Sequence, residues 1–351
     1  MRWLGVLLLG LPIAIVCRVR HAPEWTVFAA SAVSLIPLAG WIGIATEHAS
    51  GRLGSSLGGL LNATFGNAVE LIIAILALRQ GLTELVKASL TGSIIGNTLL
   101  IVGLSAFLGG VRHGTQRFDA KIVGRHAAMM ILAVSAMALP AVFATVEKSA
   151  FVREEVSAGI AILLLATYGA YIFYSCFSLQ ARLENAAAAA PASDGKHWSL
   201  ARSLGTLGGA VVATAVASEQ LVYAVEPVSK SLGLSQFFMG LVVIPLVGNV
   251  AENYGAVRFA RQNRMELSLS IAANSSTQIA VFVAPLLVLV SLFIRPMTLI
   301  FAPIELVTLL SSTAIFAYIS LDGETNWLEG VQLLALYLIA AVAFYFLQGA
   351  V

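Results

Sequence analysis

The sequence predicts an all-α polytopic membrane protein with eleven transmembrane helices, arranged as an extra first helix followed by two inverted five-helix repeats. Three observations lead to this fold class. The 351 residues are 59% hydrophobic and 11% charged, with a mean hydropathy of +0.90, whereas soluble domains carry about 25% charged residues. Apolar stretches of nearly bilayer-spanning length recur along the whole chain. One motif, Gly-Asn-x-x-Glu, occurs at Gly66–Glu70 and again at Gly248–Glu252.

The apolar stretches predict the individual helices, and each is near the roughly 20 residues that a bilayer requires. The first stretch resembles a signal peptide in length, but it lacks a small-residue cleavage site and is followed at once by Arg18 and Arg20. We therefore expect residues 1–25 to form a retained first helix. The predicted spans lie near residues 3–17, 26–46, 57–79, 86–109, 125–144, 157–178, 202–223, 236–258, 267–293, 298–319 and 329–348.

The repeated motif divides the remaining chain into two halves, residues 26–179 and 199–351, joined by a polar and alanine-rich linker at 180–198. Aligning residues 66–84 with 248–266 gives seven identities in nineteen positions, where chance would give about one or two. Because each half has five predicted spans, an odd number, the second half enters the membrane from the opposite side. Such inverted repeats are typical of transporters that expose one site alternately to each side.

Loop charges predict the orientation of the chain. Twelve Lys and Arg residues fall on the side of the N-terminus and eight on the other side, which favours a cytoplasmic N-terminus and linker and an external C-terminus. We expect the cytoplasmic membrane of a prokaryotic cell. The net charge of +2 gives no sign of nucleic-acid binding. Cys17 and Cys176 lie far apart in apolar stretches, so neither a disulfide framework nor a cysteine metal site is indicated.

The motif places Glu70 and Glu252 within membrane spans, where an ionisable side chain generally marks a functional site. Asn67 and Asn249 each precede their glutamate by three positions and share its helix face. Carboxylate and amide oxygens suit Ca²⁺ better than zinc or copper. Without a cation, two carboxylates in a low-dielectric site cannot both stay ionised and would take up protons. This competition predicts cation/proton exchange, whereas a purely structural polar network is the less favoured interpretation.

Further polar residues lie in other spans. Asn97 aligns with Gln278 across the repeat, and Ser93 lies one turn before Asn97; these side chains either bind the ion or make ordinary interhelical hydrogen bonds. Glu47 and Glu219 end the matching triplets Ala-Thr-Glu and Ala-Ser-Glu. They either face water or belong to the ion and proton path.

At this point the sequence resembles a known family. Gly58–Ala74 is similar to the first signature repeat of the calcium/proton exchangers, and Gly248–Glu252 with Ser275–Ala280 is similar to the second. The resemblance, to the cation/proton exchanger branch of the calcium/cation antiporter superfamily, covers essentially the whole chain. The sodium/calcium branch typically has proline before its acidic residue, and Val69 and Ala251 stand at that position here.

The resemblance implies a secondary-active Ca²⁺/H⁺ antiporter, which exports calcium from the cytoplasm by alternating access. It implies that Glu70 and Glu252 bind Ca²⁺ and protons in turn, and that Asn67, Asn249, Asn97 and Gln278 line the site. Calcium, protons and the lipid bilayer are then the partners, and no cofactor is implied. Whether the chain forms a homo-oligomer stays open.

Two other functions remain as alternatives. A Na⁺/Ca²⁺ or Na⁺/H⁺ exchanger is the first, and a passive cation channel is less favoured, because channels are usually built from symmetric subunits around a pore. The chain has no Gly-x-x-x-x-Gly-Lys-Ser/Thr loop for a nucleotide. We therefore expect a transporter that is neither an ATPase nor any other enzyme.

Overall fold

The computed structural model describes residues 4–177 and 198–347. The predicted linker at 180–198 lies outside these ranges except for Trp198. The chain begins with two short helices, α1 (Leu4–Leu7) and α2 (Gly10–Val19). The first half then contains α3 (Glu24–Phe65), α4 (Ala68–Arg79), α5 (Thr83–Ile95), a π-helical segment (Gly96–Ile101), α6 (Val102–His113), β1 (Gln116–Arg117), α7 (Ala120–Val146) and α8 (Ala150–Phe177).

The second half follows the same order of helices, but its short strand lies one helix later and its interrupted helix has an additional π segment. It contains α9 (Leu200–Leu232), α10 (Gln236–Phe238), a π-helical segment (Met239–Val243), α11 (Ile244–Gly248), α12 (Val250–Arg261), α13 (Met265–Gln278), a third π-helical segment (Ile279–Val283), α14 (Ala284–Ser291), α15 (Pro303–Ile319), β2 (Glu324–Thr325) and α16 (Trp327–Phe346). In both halves a long helix precedes a helix interrupted at the motif, then a helix with a π segment, then two more helices. The predicted class, a helical membrane protein built from two repeats, is thus confirmed.

The number of membrane crossings is not settled by helix length. Among the described residues, seven helices are long and apolar enough to cross a membrane, or eight if Gln236–Gly248 and Val250–Arg261, bent by 63°, form one span. The predicted spans 3–17 and 298–319 correspond to shorter apolar helices, Gly5–Val19 and Pro303–Ile319. The count of eleven therefore stays a prediction, although a helix lies at each predicted position.

α3 is helical over 42 residues but it is sharply bent. The Ser50 hydroxyl donates a hydrogen bond to the Gly58 carbonyl oxygen at 2.9 Å, whereas a straight α-helix would separate these residues by about 12 Å along its axis. A side chain on Gly58 would overlap the Ser50 backbone, so glycine is needed at the bend. The two arms of α3 thus belong to the separate predicted spans 26–46 and 57–79.

Backbone contacts without intervening side chains join the two halves. A Cβ atom on Gly92 of α5 would overlap the Leu241 carbonyl group in the Met239–Val243 π segment. A Cβ atom on Gly240 would meet the Leu85 carbonyl oxygen in the same way. Glycine is therefore required at this crossing, as small residues often are where membrane helices approach closely. The crossing packs α5 of the first half against the interrupted helix of the second.

Loop contacts fall into two sets. In one set β1 pairs antiparallel with β2, and Arg52 Nε donates to the Trp198 carbonyl oxygen at 3.2 Å. In the other set the Leu299 amide donates to Ser157 Oγ at 3.2 Å. Every member of the first set follows an even-numbered predicted span, whereas Ser157 and Leu299 stand at the start of the sixth and tenth predicted spans. The predicted order of spans thus places the two sets on opposite sides of the membrane. We call the side that carries β1, β2 and Trp198 the ribbon side.

Candidate functional site

Helix breaks position both motif glutamates. α4 begins at Ala68, directly after Gly66 and Asn67, and α12 begins at Val250, directly after Asn249. Glu70 and Glu252 therefore each lie in the first turn of a helix. The partial positive charge of a helix N-terminus stabilises a carboxylate there by about 0.3–1 kcal/mol. The predicted spans 57–79 and 236–258 ran unbroken through these positions, and the structure corrects them to interrupted helices.

The two motifs form one site although they lie 182 positions apart in the sequence. A Cβ atom on Gly248 would lie 3.3 Å from Glu70 Oε1, so the carboxylate of the first motif rests against the glycine of the second. Glu70 and Glu252 are close enough for their charges to repel each other. The absence of a side chain at Gly248 thus gives the Glu70 carboxylate its space.

Hydrogen bonds between the halves surround the two carboxylates. Asn67 Nδ2 donates to Gln278 Oε1 at 2.5 Å, and Asn97 Nδ2 donates to Ser275 Oγ at 3.1 Å. Ser275 lines the same cavity as Glu252. Two asparagines of the first half are therefore held by α13 of the second half, one of them by a serine at the cavity that a motif glutamate lines.

Several oxygens of the two motifs are buried without a hydrogen-bond partner among the described residues. They are Asn67 Oδ1, Glu70 Oε2, Asn249 Oδ1 and Glu252 Oε2. Leaving a buried acceptor unpaired costs about 1–3 kcal/mol, and more when the group is charged. Carboxylate and carboxamide oxygens are the ligands that Ca²⁺ takes in proteins. The chemistry of this donor set therefore fits a calcium ion as the substrate.

The rest of the described chain offers no comparable metal site. No group of three or more His, Cys, Asp or Glu side chains in residues 4–177 and 198–347 is arranged to hold a metal ion. A calcium ion at the paired glutamates would thus depend on amide and other oxygens to complete the 6–8 ligands that it prefers.

A cavity of about 530 Å³ leads to the site, and its walls include Glu47, Glu70, Glu252 and Gln278. Glu47 is exposed and lies near Arg52, which contacts Trp198 on the ribbon side. The cavity therefore joins the carboxylates to the ribbon side of the protein. On the other flank of Glu70, a cavity of about 10 Å³ is lined by Ser93, enough space for about one water molecule.

The structure brings most of the predicted site residues together. Glu70, Glu252 and Gln278 line the large cavity, Ser93 lines the small one with Glu70, and Asn67, Asn97 and Asn249 are buried. Glu47 and Glu219, in contrast, are separated. Glu219 is not among the residues that line the large cavity, and its Oε1 lies 3.7 Å from Arg18 Nη1.

Sequence reasoning missed Ser275 as a residue of the site. Ser275 lines the large cavity with Glu252 and Gln278. It stands three positions before Gln278 on α13, and this helical spacing was an available signal.

Comparisons with known proteins identify relatives along nearly the whole chain. A profile of the family described as "Sodium/calcium exchanger protein" matches residues 23–177 and 202–346. The chain is 39% identical over 341 residues to the Ca(2+)/H(+) antiporter ChaA of Bacillus subtilis, covering 96% of this chain and 97% of the relative. It is 40% identical over 357 residues to the Ca(2+)/H(+) antiporter of Aphanothece halophytica, covering 97% and 95%. The solved structure of native YfkE superposes with a TM-score of 0.84 at 37% identity, covering 98% of this chain and 100% of that one.

Proposed function

The chain belongs to the sodium/calcium exchanger protein family and acts as a Ca²⁺/H⁺ antiporter, and we propose that Glu70 and Glu252 form the single site that binds both ions. The chain is a multi-pass membrane protein and a transporter, in agreement with the sequence analysis. The roles of individual side chains and the alternation of access are our proposal, and they depend on the geometry of the site.

The observation that carries the proposal is the set of buried, unpaired oxygens on the repeated motifs. A divalent cation offsets the charge of two carboxylates, and the amide oxygens of Asn67 and Asn249 add ligands without adding charge. When no cation is bound, repulsion and burial disfavour two ionised carboxylates, so protons neutralise them. Calcium and protons therefore compete for the same oxygens, and this competition couples their movements in opposite directions.

In this conformation, the large cavity supports the proposal that the ion site is accessible from one side of the membrane. It connects the carboxylates to the ribbon side through Glu47. We propose that the ribbon side is cytoplasmic, as the loop charges predict, with the N-terminus inside, the C-terminus outside and the protein in the cell membrane. Calcium then enters from the cytoplasm through the cavity, and reorganisation of the two halves exposes the site to the exterior, where protons replace it.

The test is ⁴⁵Ca²⁺ uptake into proteoliposomes driven by a pH gradient, for the wild type, Glu70→Gln and Glu252→Gln. Glutamine keeps the size of the side chain but binds no proton and carries no charge. We expect each substitution to abolish pH-driven uptake. Glu226→Gln is the matched control, because Glu226 is an exposed carboxylate paired with Lys230 at 2.7 Å and should leave uptake unchanged.

Two results would contradict the proposal. Normal uptake by Glu70→Gln or Glu252→Gln would show that the paired carboxylates are structural. Uptake driven by an imposed Na⁺ gradient at equal pH, with none driven by the pH gradient, would replace the proton by sodium as the coupling ion.

A further inference from the structure

Arg18 of the extra first helix makes polar contacts with the second half. Arg18, in the last turn of α2, donates from Nη1 to Gln220 Oε1 at 3.0 Å. The same Nη1 lies 3.7 Å from Glu219 Oε1, and the guanidinium group lies 4.2 Å from the ring centroid of Tyr223. Arg18 thus contacts three side chains within one turn of α9, while α2 itself has no counterpart in either repeat.

These contacts lie on a part of α9 that is remote from the cavity mouth. α9 begins at Leu200, next to Trp198 on the ribbon side. Glu219 stands nineteen positions further along, which corresponds to about 28 Å of helix, close to the hydrocarbon thickness of a bilayer. Arg18 and Glu219 therefore meet at the side to which the site is closed in this conformation.

Glu219 is the repeat counterpart of Glu47, since both end the matching triplets at 45–47 and 217–219. Glu47 lines the open cavity, and Glu219 is held by Arg18 on the opposite side. In an inverted-repeat transporter the two halves exchange conformations when the site opens to the other side. A residue whose repeat counterpart lines the first cavity then comes to line the cavity on the other side. Opening the closed side would then move Glu219 into the position that Glu47 now holds.

We propose that Arg18 is a latch that keeps the side opposite the cavity closed, and that it must release α9 before the ion site opens to that side. This inference rests on the proposed alternating-access function. Arg18 is a positioning residue, because it contacts α9 and not the ion site. Through Arg18, the extra first helix sets the balance between the two conformations of an otherwise repeated structure.

The chemistry of the latch suits a contact that must open in every cycle. The Arg18 side chain is 35% exposed and the Glu219 side chain 54% exposed. Ion pairs and cation–π contacts at such positions are individually weak. Together these contacts shift the equilibrium between the two conformations without preventing the change between them. Water can solvate the charges of Arg18 and Glu219 when they separate. A buried ion pair would leave two unpaired charges on opening.

The test measures the KM for Ca²⁺ from each face of the membrane, using inverted and right-side-out vesicles that carry the full chain. The variants are Arg18→Gln, Gln220→Leu and the double variant. Arg20→Gln is the matched control, because Arg20 is exposed near the same end of α2 and its substitution changes the net charge equally. Thermal unfolding of each purified variant reports general destabilisation.

The apparent affinity from one face scales with the fraction of molecules open to that face. For Arg18→Gln we expect KM at the face opposite the ribbon side to fall by about three- to tenfold. KM at the ribbon side should rise by a smaller factor, because that conformation is already the major one. Gln220→Leu should act in the same direction, and the double variant should not exceed the larger single effect, because both remove the same contact.

Separate results overturn the latch and the proposed function. If the wild type moves no calcium in response to a pH gradient, both are wrong. If the wild type exchanges calcium for protons but Arg18→Gln and Gln220→Leu keep the wild-type KM at both faces, the latch alone is wrong. An equal loss of maximal rate at both faces with unchanged KM would also refute it, since that result indicates general damage.

Discussion

Gly248→Ala tests whether the Glu70 carboxylate contacts the transported ion. The added methyl group would lie 3.3 Å from Glu70 Oε1, 3.8 Å from its Cδ and 3.9 Å from its Cγ. The carboxylate must therefore move by a few tenths of an ångström. Calcium holds its oxygens at about 2.3–2.6 Å, so a displacement of this size removes much of one ligand's contribution.

The expected magnitude follows from the loss of one charged ligand. Leaving a charged group's interaction unmade costs about 1–3 kcal/mol, and about 1.4 kcal/mol corresponds to a tenfold change in affinity. We expect KM for Ca²⁺ to rise about tenfold. Fold stability should not fall, because alanine is favoured over glycine in a helix by about 1 kcal/mol, and Gly248 lies within α11.

The assay is calcium-dependent exchange in proteoliposomes, with thermal unfolding measured on the same preparations. Gly255→Ala is the matched control. Gly255 lines the same cavity, but a Cβ atom there meets Ile271 Cδ1 at 3.9 Å, an ordinary contact. An equal KM for Gly248→Ala and Gly255→Ala would refute the reasoning that places the Glu70 carboxylate at the ion.

Two further predictions concern packing and hydrogen bonding. Gly92→Ala should destabilise the fold by about 3 kcal/mol, because its Cβ would overlap the Leu241 carbonyl group. Gly96→Ala should be neutral, because a Cβ atom there meets open space. Equal thermal unfolding temperatures for the two variants would contradict this prediction. Ser275→Ala should raise KM for Ca²⁺ several-fold, because the buried Asn97 amide loses the hydroxyl oxygen to which it donates, at the cavity that Glu252 lines. The control is Ser276→Ala, at a buried serine whose hydroxyl lacks a partner among the described residues, and an equal KM for the two variants would contradict the prediction.

The sequence carries enough information to predict that the two motifs meet. A carboxylate within a membrane span is unfavourable unless it has a function, and Glu70 and Glu252 occupy matching positions in two related halves. An inverted repeat brings such positions together at its interface. No long-range contact had to be known for this step, because the chemistry of the bilayer and the internal repeat were sufficient.

The local backbone at the motifs could not be predicted from periodicity. The hydrophobic pattern of segments 57–79 and 236–258 does not distinguish a continuous helix from two short helices joined end to end. The breaks before α4 and α12, and the π segments such as Gly96–Ile101, depend on packing between the halves. Gly66 and Gly248 marked positions where a break was feasible, but glycine alone does not require one.

The conformational state is also absent from the sequence. Glu47 and Glu219 have nearly the same local sequence, yet one lines a cavity and the other contacts Arg18. A repeated sequence encodes both conformations of each half, and only the packing of the whole molecule selects which half is open. Sequence comparison left the two glutamates either facing water or on the ion and proton path, and it did not show which of them lies at the open side.

The difference between the open side at Glu47 and the closed side at Glu219 is needed for a nearly symmetric site to couple the movements of two ions. If both sides opened together, calcium would simply leak down its gradient. In the proposed cycle the two carboxylates disfavour a site that holds neither calcium nor protons, because burial and mutual repulsion oppose two uncompensated charges. The halves then exchange conformations only when Glu70 and Glu252 are neutralised by one ion or the other. The coupling of the two ions arises from this electrostatic condition at the paired glutamates. In the same proposed cycle, contacts along α9, such as Arg18 with Gln220, determine which side is open between exchanges.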